Sequence, residues 1–299
     1  MFPLCQKDLP TNIAHVEPAA FSPVRLTAQL HRRPRRKPPP FSSSILYNLS
    51  ITDRAFTWFC HAHLFKNLYL GYGSGSRDSL SKKLAKTRDI LNDEPSFANL
   101  VRTVHLTVAH RGNKWLFNDP TFVSIIQLLA KSLMPPYKLH ITGFVSSFMI
   151  EDPILLVGRL MQSFFSQTLT VLYVTDCRNV PLSLFLVCPN LREVYLDSVG
   201  VLESGYDEYP DTQCSGPELP ALECLNYRDS ESLVKQMITP PPKFSTAVVV
   251  WSKLRVLKLC PQEKEEMVCL QPILDAACDT LEELYLTNLR MIWGLGGKL

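Results

Sequence analysis

Three glycines at alternate positions, Gly71, Gly73 and Gly75, are the first feature of the sequence that could support chemistry. Glycine-rich loops between a strand and a helix can hold phosphate groups with their backbone N–H groups. The dinucleotide-binding pattern G-x-G-x-x-G fails here because Ser76 stands where the third glycine is required. A phosphate-binding G-K-S/T sequence does not follow either, since Ser76 leads into Arg77. The glycines favour a turn between two elements, and a nucleotide-binding enzyme that uses the Gly71–Gly75 loop is the disfavoured alternative.

Two further groups of reactive side chains lie close together in the sequence. Cys60, His61 and His63 could bind a metal, but no second cluster completes a tetrahedral set, so polar positions on a helix surface are the simpler interpretation. Ser79 and Lys82 match an S-x-x-K pattern at a spacing that chance readily gives. No G-x-S-x-G, H-E-x-x-H or C-x-x-C pattern occurs. We therefore predict a protein that is not an enzyme, with no catalytic residues, no metal site and no cofactor.

Composition and charge indicate a globular intracellular protein. Its 299 residues are 46% hydrophobic, which is enough to bury a large core, and no apolar run approaches the roughly 18 residues of a membrane span. Lys7 and Asp8 interrupt the apolar run that a secretory signal needs, and the nine cysteines are odd in number. We expect a cytoplasmic or nuclear protein with reduced thiols and no membrane contact.

The basic residues concentrate at the N-terminus. Residues 1–40 carry seven Lys or Arg against two Asp or Glu, and the run HRRPRRKPPP contains most of them. Such a run suits nuclear import or a phosphate-binding patch, or it simply belongs to a disordered tail. We predict that residues 1–44 are disordered or poorly ordered and that nucleic acid is not the main partner.

A six-residue apolar pattern, L-x-x-L-x-L, recurs from Phe65 onward. Alternate residues of a strand face opposite sides, so the apolar fourth and sixth positions define one buried face per copy. A strand this short cannot bury that face alone, and it has to stack beside its neighbours. The fourth positions are separated by 22 to 36 residues, and they are Leu68, Val104, Leu139, Leu172, Val194, Leu225, Leu257 and Leu284.

The segments between these strands predict helices. Asp119 is placed to cap a helix that begins at Pro120, with apolar residues at positions 122, 125, 126, 129 and 133. The segment EDPILLVGRLMQSFF repeats this arrangement, and LQPILDAAC predicts a short helix from Pro272. Because strands and helices alternate, we expect the strands to be parallel.

This alternation resembles the leucine-rich repeat. The segment LTVLYVTDCRNV matches the family pattern L-x-x-L-x-L-x-x-C-x-x-L, with Cys177 as the small inward residue after the strand. The resemblance implies an α/β solenoid over residues 65–299, made of parallel strands with covering helices.

The preceding segment, ILYNLSITDRAFTWFCHAHLFKNLYL, resembles the second half of an F-box. The chain as a whole is similar to fungal F-box/leucine-rich-repeat proteins, and this implies a partial F-box-like helical segment at residues 45–64. In that family the F-box binds the adaptor of a cullin-type ubiquitin ligase. Prolines in HRRPRRKPPPFSSS interrupt the module, since they break a helix. The resemblance places adaptor contacts at Leu9, Pro10, Leu49, Arg54 and Phe56.

The fifth positions of the repeated pattern should form one row on the exposed, concave face of the sheet. Tyrosine and histidine dominate this fifth-position row, and such side chains are frequent where a protein partner is bound. Stacking that only stabilises the sheet is the other interpretation. We predict that a protein target binds this face. The protein would then act either as the substrate receptor of a ubiquitin ligase or as an adaptor-independent scaffold. The row consists of Tyr69, His105, His140, Tyr173, Tyr195, Asn226, Lys258 and Tyr285.

Overall fold

Eight strands and the short strand Arg25–Leu26 form one parallel sheet of nine strands in the computed structural model. The structure describes residues 25–26, 48, 54–71, 77–108, 113–143, 148–150, 155–202, 218–242, 247–260 and 264–287. The eight longer strands lie side by side in chain order, and each pairs in parallel with its neighbours. The prediction of an α/β protein with a parallel sheet is therefore confirmed. The strands are β1 (Asn67–Gly71), β2 (Thr103–Val108), β3 (Lys138–Gly143), β4 (Val171–Thr175), β5 (Glu193–Asp197), β6 (Cys224–Arg228), β7 (Val256–Leu259) and β8 (Glu283–Leu286).

Helical segments connect most of these strands. The α-helices are α1 (Arg54–Leu64), α2 (Arg77–Asp93), α3 (Asn113–Asn118), α4 (Pro120–Ala130), α5 (Ser183–Leu186), α6 (Glu231–Ile238) and α7 (Leu270–Ala276). Two 3-10 helices, Pro95–Leu100 and Lys264–Cys269, and a π-helix, Leu155–Phe165, complete the set in the described part of the chain.

The start of α4 agrees with the sequence and its end does not. The Asp119 carboxylate accepts hydrogen bonds from the backbone N–H groups of Thr121 and Phe122 at 2.8 and 3.1 Å, as an N-cap does. Leu133 was expected on the buried face, but α4 ends at Ala130 and Leu133 is 89% exposed. The Leu133 N–H donates to the Asn99 side chain at 2.8 Å, so it makes no helical bond.

The start of α7 also differs from the prediction. It begins at Leu270 and not at Pro272, because the 3-10 helix Lys264–Cys269 runs directly into it. Proline is well accepted in the first turn of a helix, where its missing N–H has no intrahelical partner. The proline therefore marks the first turn of α7 without fixing its first residue.

All eight fourth positions of the repeated pattern lie in one register. Leu68 pairs with Val104, Val104 with Leu139, and the series continues strand by strand to Leu257 and Leu284. A slip of one residue would move the apolar side chains of a strand to the opposite face. The buried face therefore fixes the register although the connections differ in length.

The core lies on the face of the sheet that carries the fourth and sixth positions. These side chains join one cluster with residues of the covering helices, including Leu84 of α2, Ile126 of α4, Val234 of α6 and Ile273 of α7. The third and fifth positions necessarily point to the other face. That second face is where a candidate site is to be sought.

A left-handed residue follows each of three adjacent strands. Asp176, Ser198 and Asp229 come directly after β4, β5 and β6 and have φ values of 53°, 56° and 47°. The next position turns inward, and Cys177 there is fully buried, as predicted. The Ser230 hydroxyl at the equivalent position accepts from Val199 N–H at 3.0 Å and donates to the Arg228 carbonyl at 2.7 Å.

Short strands extend the structure at two places. Phe148–Met149 pairs in parallel with Cys177–Arg178. Arg25–Leu26 pairs in parallel with β8, and the other residues of the predicted segment 1–44 lie outside the described residues. Strand β8 therefore has a neighbour from the N-terminal part of the chain.

Candidate functional site

The fifth-position row forms as the sequence predicts. Each of the strands β1 to β8 contributes one residue, and the residues are paired across neighbouring strands from Tyr69 to Tyr285. The row lies on the face opposite to the core, and Tyr69 at its first strand is 57% exposed. In order, it consists of Tyr69, His105, His140, Tyr173, Tyr195, Asn226, Lys258 and Tyr285.

The first five side chains of the row stack into a continuous ring ladder. Ring centroids lie 4.3 Å apart from Tyr69 to His105, with planes 15° apart, and 4.3 Å apart from His105 to His140, where the planes are tilted by 34°. The separation is 4.1 Å from His140 to Tyr173 and from Tyr173 to Tyr195, with planes only 3° and 2° apart. Parallel strands lie about 4.8 Å apart, so one ring per strand brings flat side chains into stacking distance. The ladder presents ring edges and polar tips to the solvent.

The other end of the row is polar. Asn226 ends the ladder after Tyr195, and the Lys258 ammonium lies 4.9 Å from the ring centroid of Tyr285. The Tyr285 hydroxyl donates to the Glu283 carboxylate at 2.8 Å. A cation over an aromatic ring is attracted by the negative face of the ring. This half of the row therefore combines charge with an aromatic side chain.

Lys138 of β3 contributes a positive charge beside the ladder. Its ammonium lies 3.3 Å from the Tyr173 hydroxyl and 4.4 Å from the centroid of that ring. Burial first, and then His105 and Lys138, lower the pKa of His140 to about 4. The pKa of His105 is lowered by burial and by Lys138. Both imidazoles are therefore neutral at pH 7, and each offers one hydrogen-bond donor and one acceptor.

Tyr195 is held as a neutral phenol at the end of the ladder. Its hydroxyl donates to the Glu193 carboxylate at 2.9 Å, and the Cys224 thiol lies 3.9 Å away. Burial raises the pKa of Tyr195, and the charges of Cys224 and Glu193 raise it further. A phenol fixed in this way keeps one orientation of its polar tip.

Short side chains flank the ladder, and charged ones flank the other half of the row. The third and seventh positions on the ladder strands include Thr103, Val171, Thr107, Thr142 and Thr175. On β5 and β6 the seventh positions are Asp197 and Arg228. The Arg228 guanidinium donates through Nε to Asp197 Oδ1 at 2.8 Å and through Nη2 to Oδ2. The face thus combines an aromatic half, flanked by Lys138 and Glu193, with a half in which charged side chains predominate.

Gly71 has a structural explanation. Its φ is +131°, and a Cβ at this position would overlap the carbonyl oxygen of Thr107 and lie 2.7 Å from its amide nitrogen. The close approach of β1 to β2 therefore requires a glycine. The remainder of the predicted phosphate-binding loop, with Gly73 and Gly75, lies outside the described residues. Gly71 itself needs no phosphate to account for it.

The three reactive side chains of α1 do not converge. Cys60 is fully buried, so the prediction of a surface position was wrong for this residue. His61 packs edge-on against Phe97 at 5.1 Å, and His63 is exposed and lies against Phe59 at 4.5 Å. Within the described ranges, no group of three or more His, Cys, Asp or Glu side chains is arranged to hold a metal ion.

The proposed adaptor contacts are only partly described. Arg54 and Phe56 lie in the first turn of α1, whereas Leu9, Pro10 and Leu49 lie outside the described residues. Helix α1 also exposes Trp58 to 63% and Phe59 to 53% of their surfaces. Neither residue was predicted as a contact, although large apolar residues beside Arg54 and Phe56 are a visible signal in the sequence.

Two observations bear on the class of protein. None of the helices in the described part of the chain has both the length and the apolar character needed to cross a membrane. Comparison of the chain with protein-family models, with curated proteins and with solved structures gives no match.

Proposed function

We propose that this protein is a non-enzymatic interaction module, a leucine-rich-repeat-like solenoid that binds a protein target on the exposed face of its sheet. The observation that carries the proposal is the ring ladder from Tyr69 to Tyr195. Stacked rings have lost most of their side-chain freedom before binding, so a partner meets a preorganised surface. Aromatic residues of this kind are enriched at the energetic centres of protein interfaces.

The chemistry of the face indicates what the target presents. Ring edges and flanking methyl groups of Thr107, Thr142 and Thr175 favour apolar contact. The tyrosine hydroxyls and neutral imidazoles add hydrogen-bonding groups at fixed positions, and these confer specificity. A protein surface or extended segment with mixed apolar and polar side chains fits this combination.

A photoreactive residue on the sheet tests this binding mode. We would place it at Asn226, which adjoins the ladder, and at Lys253 as an exposed control outside the row. Cross-linking in cell extract should join a target to the Asn226 variant and not to the Lys253 variant. A target that cross-links equally at both positions would exclude the sheet face as its specific site.

We further propose that the module serves as the substrate receptor of a cullin-type ubiquitin ligase, in the cytoplasm or nucleus. Support comes from the F-box-like sequence of α1 and from its exposed Trp58 and Phe59, directly before β1. The adaptor-independent scaffold remains the alternative, and it predicts target binding without any adaptor. A combined Leu49→Ala, Arg54→Ala and Phe56→Ala variant distinguishes them, because only the receptor should lose a co-purifying adaptor while it keeps its target.

A further inference from the structure

A second exposed apolar surface lies at the edge of the fold, in the loop of residues 131–137 between α4 and β3. Leu133 is 89% exposed, Met134 55% and Tyr137 42%. Single exposed apolar residues are common, but three large ones within five positions form a patch. These three residues are called the apolar patch.

The loop that carries the apolar patch is held in one conformation. The Arg102 guanidinium donates to the Met134 carbonyl at 3.2 Å and to the Asn99 carbonyl at 2.7 Å, and it also contacts the Met134 sulfur at 3.2 Å. The Arg102 carbonyl accepts from the backbone N–H groups of Tyr137 and Lys138, both at 3.2 Å. The exposure of Leu133 and Met134 is therefore built into the fold.

The segment that carries the apolar patch is basic, and the Arg102 guanidinium lies against Met134. Residues 130–138, AKSLMPPYK, contain Lys131 and Lys138 and no carboxylate. Within the described residues, Arg102 is bonded to carbonyl oxygens and a thioether, which leave its charge unneutralised. Lys66, whose carbonyl accepts from the Arg102 N–H at 2.9 Å, is exposed on the adjacent chain segment.

We propose that the apolar patch docks a protein segment that combines apolar side chains with Asp or Glu. The apolar side chains would cover Leu133 and Met134, and the carboxylates would meet Lys131 and Arg102. Charge complementarity of this kind sets the partner and its orientation. The patch precedes β3, whereas the ring ladder lies within the strands, so this inference does not depend on the sheet face as a binding site.

A displayed library of random short peptides tests the proposal on the full-length protein. Peptides are selected on the wild type and counter-selected on the double variant Leu133→Ser, Met134→Ser. The matched control is Val268→Ser, since Val268 is 65% exposed and lies in a different part of the chain. Both changes affect exposed side chains, so the variants should fold, and circular dichroism checks this.

We expect peptides rich in apolar and acidic residues that bind the wild type and the control about tenfold or more tightly than the double variant, a change equivalent to about 1.4 kcal/mol. Lys131→Glu and added salt should both weaken the binding of these peptides to the protein. A selection that yields no peptide dependent on the patch overturns the proposal. Peptides that bind through the apolar patch but contain no Asp or Glu would overturn the proposal that the partner segment is acidic.

Discussion

The rings of Tyr173 and Tyr195 lie 4.1 Å apart with their planes 2° from parallel, although 22 residues separate them in the sequence. They meet because β4 and β5 pair directly at these two positions. The same register repeats on the other strands, so a row that is discontinuous in sequence becomes one continuous surface. The stability of the fold and the proposed binding role therefore both depend on the stacking contacts of the ring ladder.

Interrupting the ring ladder should reduce stability. Tyr173 stacks on both neighbours, and each aromatic pair contributes roughly 0.5–1.5 kcal/mol. We expect Tyr173→Leu to lower the free energy of unfolding by about 1–3 kcal/mol, measured by urea denaturation. Tyr285→Leu is the control, because Tyr285 belongs to the same row but has a lysine and not a ring above it. Equal losses in both variants would argue against cooperative stacking.

Stability should fall in mild acid because of His140. Its pKa is about 4 in the folded protein and 6.5 in the unfolded chain, so the unfolded state binds the additional proton between these values. The effect is absent above about pH 7 and grows as pH falls toward 4. After allowance for partial solvent exposure we expect a loss of about 1–2 kcal/mol.

The variant His140→Phe isolates this effect, since it keeps a stackable ring and cannot be protonated. Urea denaturation at a series of pH values from 7.5 to about 4.5 should show a shallower pH dependence for the variant than for the wild type. Parallel curves would mean that the pKa of His140 is not lowered by folding.

Gly71 should tolerate no side chain. Gly71→Ala introduces a Cβ that overlaps the Thr107 backbone at a φ of +131°, and we expect a loss of about 2–4 kcal/mol. Gly158→Ala is the matched control, because no atom lies within 4 Å of a Cβ at that position. Its effect should stay within about 1 kcal/mol, because alanine favours a helix over glycine by about that amount. Thermal unfolding compares the two, and a neutral Gly71→Ala would contradict the close approach of β1 and β2.

Asp119 should stabilise α4 through its capping bonds. Asp119→Ala removes two acceptor contacts to backbone N–H groups and should cost about 1 kcal/mol, whereas Asp119→Asn should cost less because asparagine also caps well. Urea denaturation of both variants provides the measurement. The opposite order of the two variants would show that the charge of Asp119 acts mainly elsewhere.

The strands and their register were predictable because one simple constraint determines them. Within each strand, the apolar fourth and sixth positions of the repeated pattern mark a buried face with a period of two. A slip of one residue would expose these side chains. The fifth-position row follows directly from that pattern. Its stacking distances could not be predicted, since they depend on the side-chain conformations of neighbouring strands.

Features that rest on long-range contacts were missed. Leu133 continues the apolar spacing of α4, but a hydrogen bond to Asn99, 34 residues earlier, takes its N–H out of the helix. The contact between Arg102 and Met134 is equally invisible in sequence. The buried position of Cys60 likewise depends on packing that no local pattern specifies.

We expect the ring ladder to be the surface that binds the protein target. The most direct test is the dissociation constant of the cross-linked target for the wild type and for Tyr69→Ser, whose ring is 57% exposed at the open end of the ladder. We predict binding weakened about tenfold or more by Tyr69→Ser and unchanged by Val268→Ser. Equal affinities of the wild type and Tyr69→Ser would contradict this role of the ring ladder.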